Sequence, residues 1–274
     1  MKAQTQRREA GLHEMSLADV MQRADVWRGS TPLTAGSDAA PVPGVSSGFV
    51  ALDALLPGGG FPIGALTEVL LPRAGIGELQ LVLPAVERMT RNRWLAFVAP
   101  PYVPYAPALV RAGIDLSHVL VIHARAQHDM LWSIEQSLRA GTCGAVLAWP
   151  AQTNGQIDFK WLRRLQLAAE AGGTMGVLFR PAGCVATPSA AALRLSLDAQ
   201  PEGLGVRILK RRGGWPTGPI NVDWSELRQG RRLRRKVMNA NTQTERGAAA
   251  GANEALIMSL SKQSRHTTSS LRSS

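Results

Sequence analysis

Long apolar runs are missing from this chain of 274 residues. No stretch reaches the roughly 18 consecutive apolar residues that a membrane helix needs. The amino-terminal "MKAQTQRREAGLHEM" lacks the hydrophobic segment of a secretion signal. A cytoplasmic protein without a membrane partner is therefore the expectation. Cysteine is nearly absent: Cys143 and Cys184, both among apolar or small residues, make neither a disulfide framework nor a zinc pattern, and they fit a reducing compartment. His118, His123 and His128 recur every five residues, a spacing that suits no helical metal pair and comes without paired carboxylates. No Ser, His and Asp/Glu set sits in a nucleophile-elbow context, which leaves a hydrolase reading without support.

Acidic residues are scarce at one end only. The net charge of +11 is concentrated between Gly205 and Lys236, where ten Lys/Arg face only Asp223 and Glu226. The basicity thus belongs to the carboxy-terminal part. With 45% hydrophobic and 19% charged residues the chain reads as globular, and its length holds one large α/β domain or two small ones.

Residues 1–44 read as an amino-terminal helix and linker. Ser16 can cap "SLADVMQRADVWRG", and "GSTPLTAGSDAAPVPG" is rich in breakers. From Val45 short apolar runs alternate with helical spacing. "LTEVLL", "WLAFVAP", "HVLVIHA", "GAVLAWP" and "TMGVLFRP" read as strands, and "GELQLVLPAVERMT", "DMLWSIEQSLRAG" and "IDFKWLRRLQLAAEAGG" as helices. That order predicts an α/β fold, a mostly parallel sheet with helices on both faces. "AALRLSLDA" and "GVRILKRRG" follow without a helix between them, which predicts an antiparallel hairpin as a carboxy-terminal extension of the sheet. Trp132 and Trp161 read most simply as core or helix-packing residues, with a partner-facing role as the alternative. The expected divisions are a core over 45–212, a basic extension over 213–236 and a disordered tail over 237–274. The tail's "EALIMSL" reads either as a helix formed against a partner or as solvated chain.

The stretch "LPRAGIGELQLVLP" stands between a strand and a helix, where a nucleotide-binding protein carries its phosphate loop. Such a loop needs glycines for backbone N–H donors, a lysine for the β and γ phosphates, and a Ser/Thr hydroxyl for magnesium. Gly75 and Gly77 keep the turn, but Glu78 and Leu79 occupy the Lys and Ser/Thr positions, and no lysine or hydroxyl lies between Pro72 and Pro84. A carboxylate beside a triphosphate is repelled by about 1 kcal/mol or more. The expectation is an inactive loop, with no cofactor, no metal and no catalytic residue.

The surrounding residues resemble the entry to the RecA recombinase core. Ser47, Gly48, Leu52, Asp53, Gly59, Gly60, Pro62, Gly64 and Glu68 match its order, and Gly113, Ile114 and Asp115 match the entry to a later strand. The resemblance covers roughly residues 45 to 212 and implies a RecA-like core. Its departures agree with one another. The catalytic glutamate position reads Pro100-Pro101-Tyr102, the magnesium-supporting aspartate position reads Trp149, and the segments matching the DNA-binding loops, "PAQTNGQ" and "RPAGCVATPSA", are short. Loss of lysine, hydroxyl, base and metal carboxylate together removes the ATPase mechanism.

Gly75, Ile76, Gly77, Glu78 and Leu79, together with Val26, Trp27, Arg28 and Gly29 and the basic end, resemble the ImuA family, which is also similar to the division inhibitor SulA. The resemblance implies a non-catalytic accessory factor of error-prone translesion synthesis in the SOS response. It would contact the polymerase-like ImuB and RecA, and through them an error-prone DnaE-type polymerase. Two rivals follow: a SulA-like inhibitor of the division protein FtsZ, and a DNA-stimulated ATPase in which Arg73 or Lys160 supplies the missing cation.

The basic end places Arg207, Lys210, Arg211, Arg212, Arg231, Arg232, Arg234, Arg235 and Lys236 around Trp215 and Trp224. Cations for phosphates and ring faces for bases suit single-stranded DNA. An acidic protein surface is the alternative, and so is plain solvation, since strand alternation puts Arg207, Leu209 and Arg211 on one face.

Overall fold

The computed structural model describes residues 43–150 and 157–227. The amino-terminal helix and linker, the tail, and Arg231, Arg232, Arg234, Arg235 and Lys236 lie outside the described residues, as does most of "PAQTNGQ".

Two short strands open the fold, β1 (Gly44–Val45) and β2 (Phe61–Pro62), paired antiparallel. Between them the carboxylate of Asp53, in helix α1 (Val50–Asp53), gathers the chain. It accepts from Ser46 Oγ at 2.7 Å, Ser47 N at 2.8 Å and Ser47 Oγ at 2.7 Å. Backbone contact closes the hairpin: a Cβ on Gly60 would lie 2.1 Å from the Val45 carbonyl oxygen, so only glycine fits.

Eight strands then form one sheet. In chain order they are β3 (Ala65–Leu71), β4 (Trp94–Val98), β5 (Val119–Ile122), β6 (Cys143–Ala148), β7 (Met175–Pro181), β8 (Leu193–Gln200), β9 (Gly203–Arg211) and β10 (Thr217–Asp223). Their spatial order is β10-β9-β8-β3-β7-β6-β4-β5. From β8 to β5 every pairing is parallel, and β8, β9 and β10 pair antiparallel. The fold is thus α/β with a mostly parallel mixed sheet. The expected hairpin continues into a third antiparallel strand, β10. Sequence periodicity hides it because Gly218 and Pro219 interrupt the alternation and all its residues but Val222 are half-exposed or exposed.

Helices cover both faces. Helix α2 (Glu78–Met89) and the short α3 (Ala106–Arg111) bury Leu81, Val82, Val86 and Leu109 against Val69, Phe97, Leu147 and Val177. On the other face α4 (Gln127–Arg139) and α5 (Phe159–Gly172) bury Met130, Ile134, Leu138, Leu162 and Leu165 against Leu66, Ala96, Val146 and Leu178. Asp158 caps α5 by accepting the Trp161 N–H at 2.9 Å, and Gly173, at φ +56°, ends it. Trp161 is half-buried, but Trp132, expected to pack, is 55% exposed on the outer side of α4. Helical spacing alone does not say which of two stripes on α4 meets the sheet.

Strand β3 is buried along its whole length, as a central parallel strand should be. Glu68 at its middle is also fully buried, and it meets two buried arginines. Arg180 on β7 donates from Nη1 to Glu68 Oε1. Arg194 on β8 brings Nε to 2.7 Å from Glu68 Oε2, a charge contact without hydrogen-bond alignment, while its Nη2 donates to the Cys184 carbonyl at 2.9 Å.

Candidate functional site: a loop holding its own carboxylate

The turn from β3 into α2 lies at the carboxy ends of the parallel strands, where open α/β sheets place their ligand crevices. Gly75 and Gly77 have φ of +83° and +106°, which turns their N–H groups toward one point. In a working phosphate loop that point holds a phosphate. Here it holds the Glu78 carboxylate. The Gly75 N–H donates to Glu78 Oε1 at 3.0 Å and Oε2 at 3.1 Å, and the Gly77 N–H donates to Oε2 at 3.1 Å. Glu78 is buried, and as the first residue of α2 it also places negative charge at the positive end of the helix. Leu79 beside it packs against the core rather than presenting a polar group.

Trp224, just beyond β10, lies against the other side of this turn. A Cβ on Gly77 would come within 2.8 Å of its ring. The ring also meets Phe49 edge-on, with centroids 6.0 Å apart. Of the two tryptophans of the basic end, Trp224 is therefore committed to the loop and core, and Trp215 is exposed.

A cleft of about 270 Å³ opens beside the loop. Its walls include Glu78, Leu79, Phe97, Tyr102, Tyr105 and Trp149. Trp149 occupies the position after β6 and stacks between Phe97, at 6.2 Å, and Phe179, at 4.7 Å. Its Nε1 is buried and has no hydrogen-bond partner among the described residues. Pro100, Pro101 and Pro104 carry the rim, in which Tyr102, Val103 and Tyr105 are 72%, 84% and 66% exposed. Ala99 enters this rim at φ +48°, an uncommon conformation for alanine and doubly so before a proline.

The predicted basic residues are not one surface. Arg211 Nε donates to the Trp215 carbonyl at 3.1 Å, and its Nη1 donates to the Leu55 carbonyl, so this guanidinium fastens two loops. Lys210 Nζ donates to the Ser189 carbonyl at 2.9 Å. Burial and the neighbouring Arg194 and Arg212 pull the Lys210 pKa down, with Glu68 opposing. Arg212 pairs with Glu170 at 3.3 Å across an exposed surface. Arg207 and Trp215 face solvent. The expected common face of Arg207, Leu209 and Arg211 does not form. A register shift pairs Arg194 with Lys210 and Leu195 with Ile208, so Leu209 is an extra residue in β9. Of the cations proposed for an ATPase, Arg73 is exposed in the loop, while Lys160 lies on α5, across the sheet from α2.

The fold and this loop define a class: a mostly parallel α/β protein whose phosphate-type turn carries a carboxylate in place of a cation and hydroxyl. Within that class the family model for the cell division inhibitor SulA matches residues 64–176. Protein ImuA of Caulobacter vibrioides is 30% identical over 152 residues, covering 52% of this chain and 60% of ImuA. Protein RecA of Chlorobaculum parvum is 28% identical over 141 residues, covering 50% of this chain and 40% of RecA. The crystal structure of SulA from Pseudomonas aeruginosa aligns at 24% identity with a TM-score of 0.34, over 42% of this chain and 97% of that one. The resemblance to ImuA read from the loop is thus shown by comparison with the Caulobacter protein, and a SulA-type region accompanies it. The chain spans about 60% of the length of the ImuA relatives it matches. Among the described residues no helix is long and apolar enough to cross a membrane, and no group of three or more His, Cys, Asp or Glu is placed to hold a metal ion.

Proposed function

We propose that this protein is a non-catalytic accessory factor of damage-induced, error-prone translesion synthesis. Its core is a RecA-like fold that has exchanged nucleotide for partner binding. The observation that carries this reading is the Glu78 carboxylate on the N–H groups of Gly75 and Gly77. A nucleotide phosphate would need those donors, and it would meet a buried negative charge where its own should sit. The likeness to ImuA supports the cellular role. The partners are an ImuB-type polymerase-like protein and RecA, with an error-prone DnaE-type polymerase reached indirectly. Arg207, Arg212 and Trp215, with Arg231, Arg232, Arg234, Arg235 and Lys236, are the partner-binding or single-stranded-DNA-binding residues of this reading, while Lys210 and Arg211 are held by the Ser189, Leu55 and Trp215 carbonyls.

The test is a pull-down of the full chain, and of a chain ending at Leu227, against ImuB, RecA and single-stranded DNA at moderate salt, with ATP hydrolysis followed in the same tubes. Binding without hydrolysis is the expected result, with one partner lost on truncation. Turnover above background would overturn the reading.

The SulA match favours a second reading, inhibition of cell division through FtsZ. It requires filamentous cells on expression and loss of FtsZ polymerisation. Loss of induced mutagenesis on deletion, with division unchanged, separates the two.

A further inference from the structure

A carboxylate in an anion-binding turn reverses what the neighbouring cleft can hold. Among the described residues Glu78 is the one charged residue lining the cleft, and no ion-pair partner reaches it. Its oxygens take backbone N–H groups, which supply dipoles but no countercharge. The other side chains facing the cleft are apolar or aromatic, apart from Gln80. An anionic occupant meets repulsion there, and a purely apolar one leaves the charge uncompensated.

Aromatic faces around a carboxylate suit a planar cation. Guanidinium groups stack on Tyr and Trp rings and pair with carboxylates in the same plane. We propose that the cleft is a docking site for an arginine side chain presented on an extended segment of a partner protein. The guanidinium lies against the exposed Tyr102 and Tyr105 rings and pairs with Glu78. Val103 and the rim prolines contact the apolar flanks of the segment.

Two further observations fit this occupant. The indole N–H of Trp149 in the cleft wall has no hydrogen-bond partner among the described residues, and a backbone carbonyl of the segment supplies an acceptor once the rim shifts to admit it. The rim residues Tyr102, Val103 and Tyr105 stand out in solvent, and tyrosine is a residue type that anchors protein interfaces. The inference rests on the proposed loss of nucleotide binding, because a nucleotide would compete for the same space.

The experiment titrates the nitrogen-labelled full-length protein with the peptide acetyl-Ala-Pro-Arg-Pro-Ala-amide, observing the indole N–H resonance assigned by Trp149→Phe. The controls are the same peptide with citrulline replacing arginine, which keeps the shape and removes the charge, and ATP. The arginine peptide is expected to shift the resonance with an affinity at least about tenfold above the citrulline peptide. Glu78→Gln and, separately, Tyr105→Ala at the exposed rim should each lower that affinity by about tenfold, the second without a requirement on the loop's fold. Equal binding of both peptides, or no shift with either, overturns the inference and leaves the accessory-factor reading intact. Displacement of the resonance by ATP overturns both. Tighter peptide binding by a chain ending at Leu227 would mean that the protein's own basic segment fills the cleft, and it would overturn the assignment to a partner.

Discussion

Arg207 and Arg211 lie on one strand and face opposite sides of the sheet. Arg207 is opposite Ser196 and Arg211 is opposite Leu193, because the extra residue Leu209 shifts the register between them. The two guanidiniums therefore have different tasks. Arg211 is a structural clasp between Leu55 and Trp215, while Arg207 is open to solvent.

From this difference, Arg211→Ala should lower unfolding stability by about 1–3 kcal/mol, through carbonyls left without their donor. Arg207→Ala should leave stability within about 0.5 kcal/mol of the parent. Urea unfolding of both variants checks the contrast. If the sheet face that carries Arg207 contacts single-stranded DNA, Arg207→Ala alone should flatten the salt dependence of binding by about one ion equivalent.

Glu78→Lys restores the lysine that a phosphate loop requires, but leaves Leu79 in place of the hydroxyl and, on the resemblance to RecA, Pro100-Pro101-Tyr102 and Trp149 in place of the two carboxylates. No ATP binding should appear by equilibrium dialysis. The variant should also be less stable by about 1–3 kcal/mol, since the Gly75 and Gly77 N–H groups lose their acceptor. Micromolar ATP binding would show that the loop is conventional apart from one residue.

Gly77→Ala combines a φ of +106° with a Cβ only 2.8 Å from the Trp224 ring. A loss of about 2 kcal/mol or more is expected. In the Trp224→Ala background the steric part of that loss should vanish and the backbone part remain, which a double-mutant cycle by thermal unfolding resolves.

Glu68→Ala leaves Arg180 and Arg194 buried without their carboxylate. The expected cost is about 3–5 kcal/mol. Glu68→Gln, which keeps the shape, should recover only part of it. Denaturant titration distinguishes this from a replaceable packing role, for which the two variants would be equal.

Burial pushes the Cys143 thiol up, against smaller downward pulls from a Thr142 hydrogen bond and from Arg93. The folded state thus holds this proton more tightly than the unfolded chain does. Its contribution to stability is intact below the ordinary thiol range and is lost as pH rises through the folded value. Native alkylation at mildly alkaline pH should label the half-exposed Cys184 and spare Cys143. Cys143→Ala should make the alkaline loss of stability less steep.

Much of the core was legible in the sequence because its signals are local. Runs such as "LTEVLL" and "GAVLAWP" need burial on both faces, which only central parallel strands with helices above and below provide. β10 was not legible: its residues carry little alternation, and its place depends on the free edge of β9. Trp132 likewise reads as core by residue type, but the direction in which α4 rolls onto the sheet leaves it outside.

The sequence by itself determined what the loop lacks, since chemistry follows residue type: a turn with Glu78 and Leu79 carries neither the lysine nor the hydroxyl of a phosphate loop. Only the tertiary structure decided what the loop does instead. Whether Glu78 folds back onto Gly75 and Gly77, whether Trp224 closes over the turn, and whether Tyr102, Tyr105 and Trp149 meet around one cleft all depend on residues far apart in the chain. Their distances are set by packing rather than by spacing in sequence.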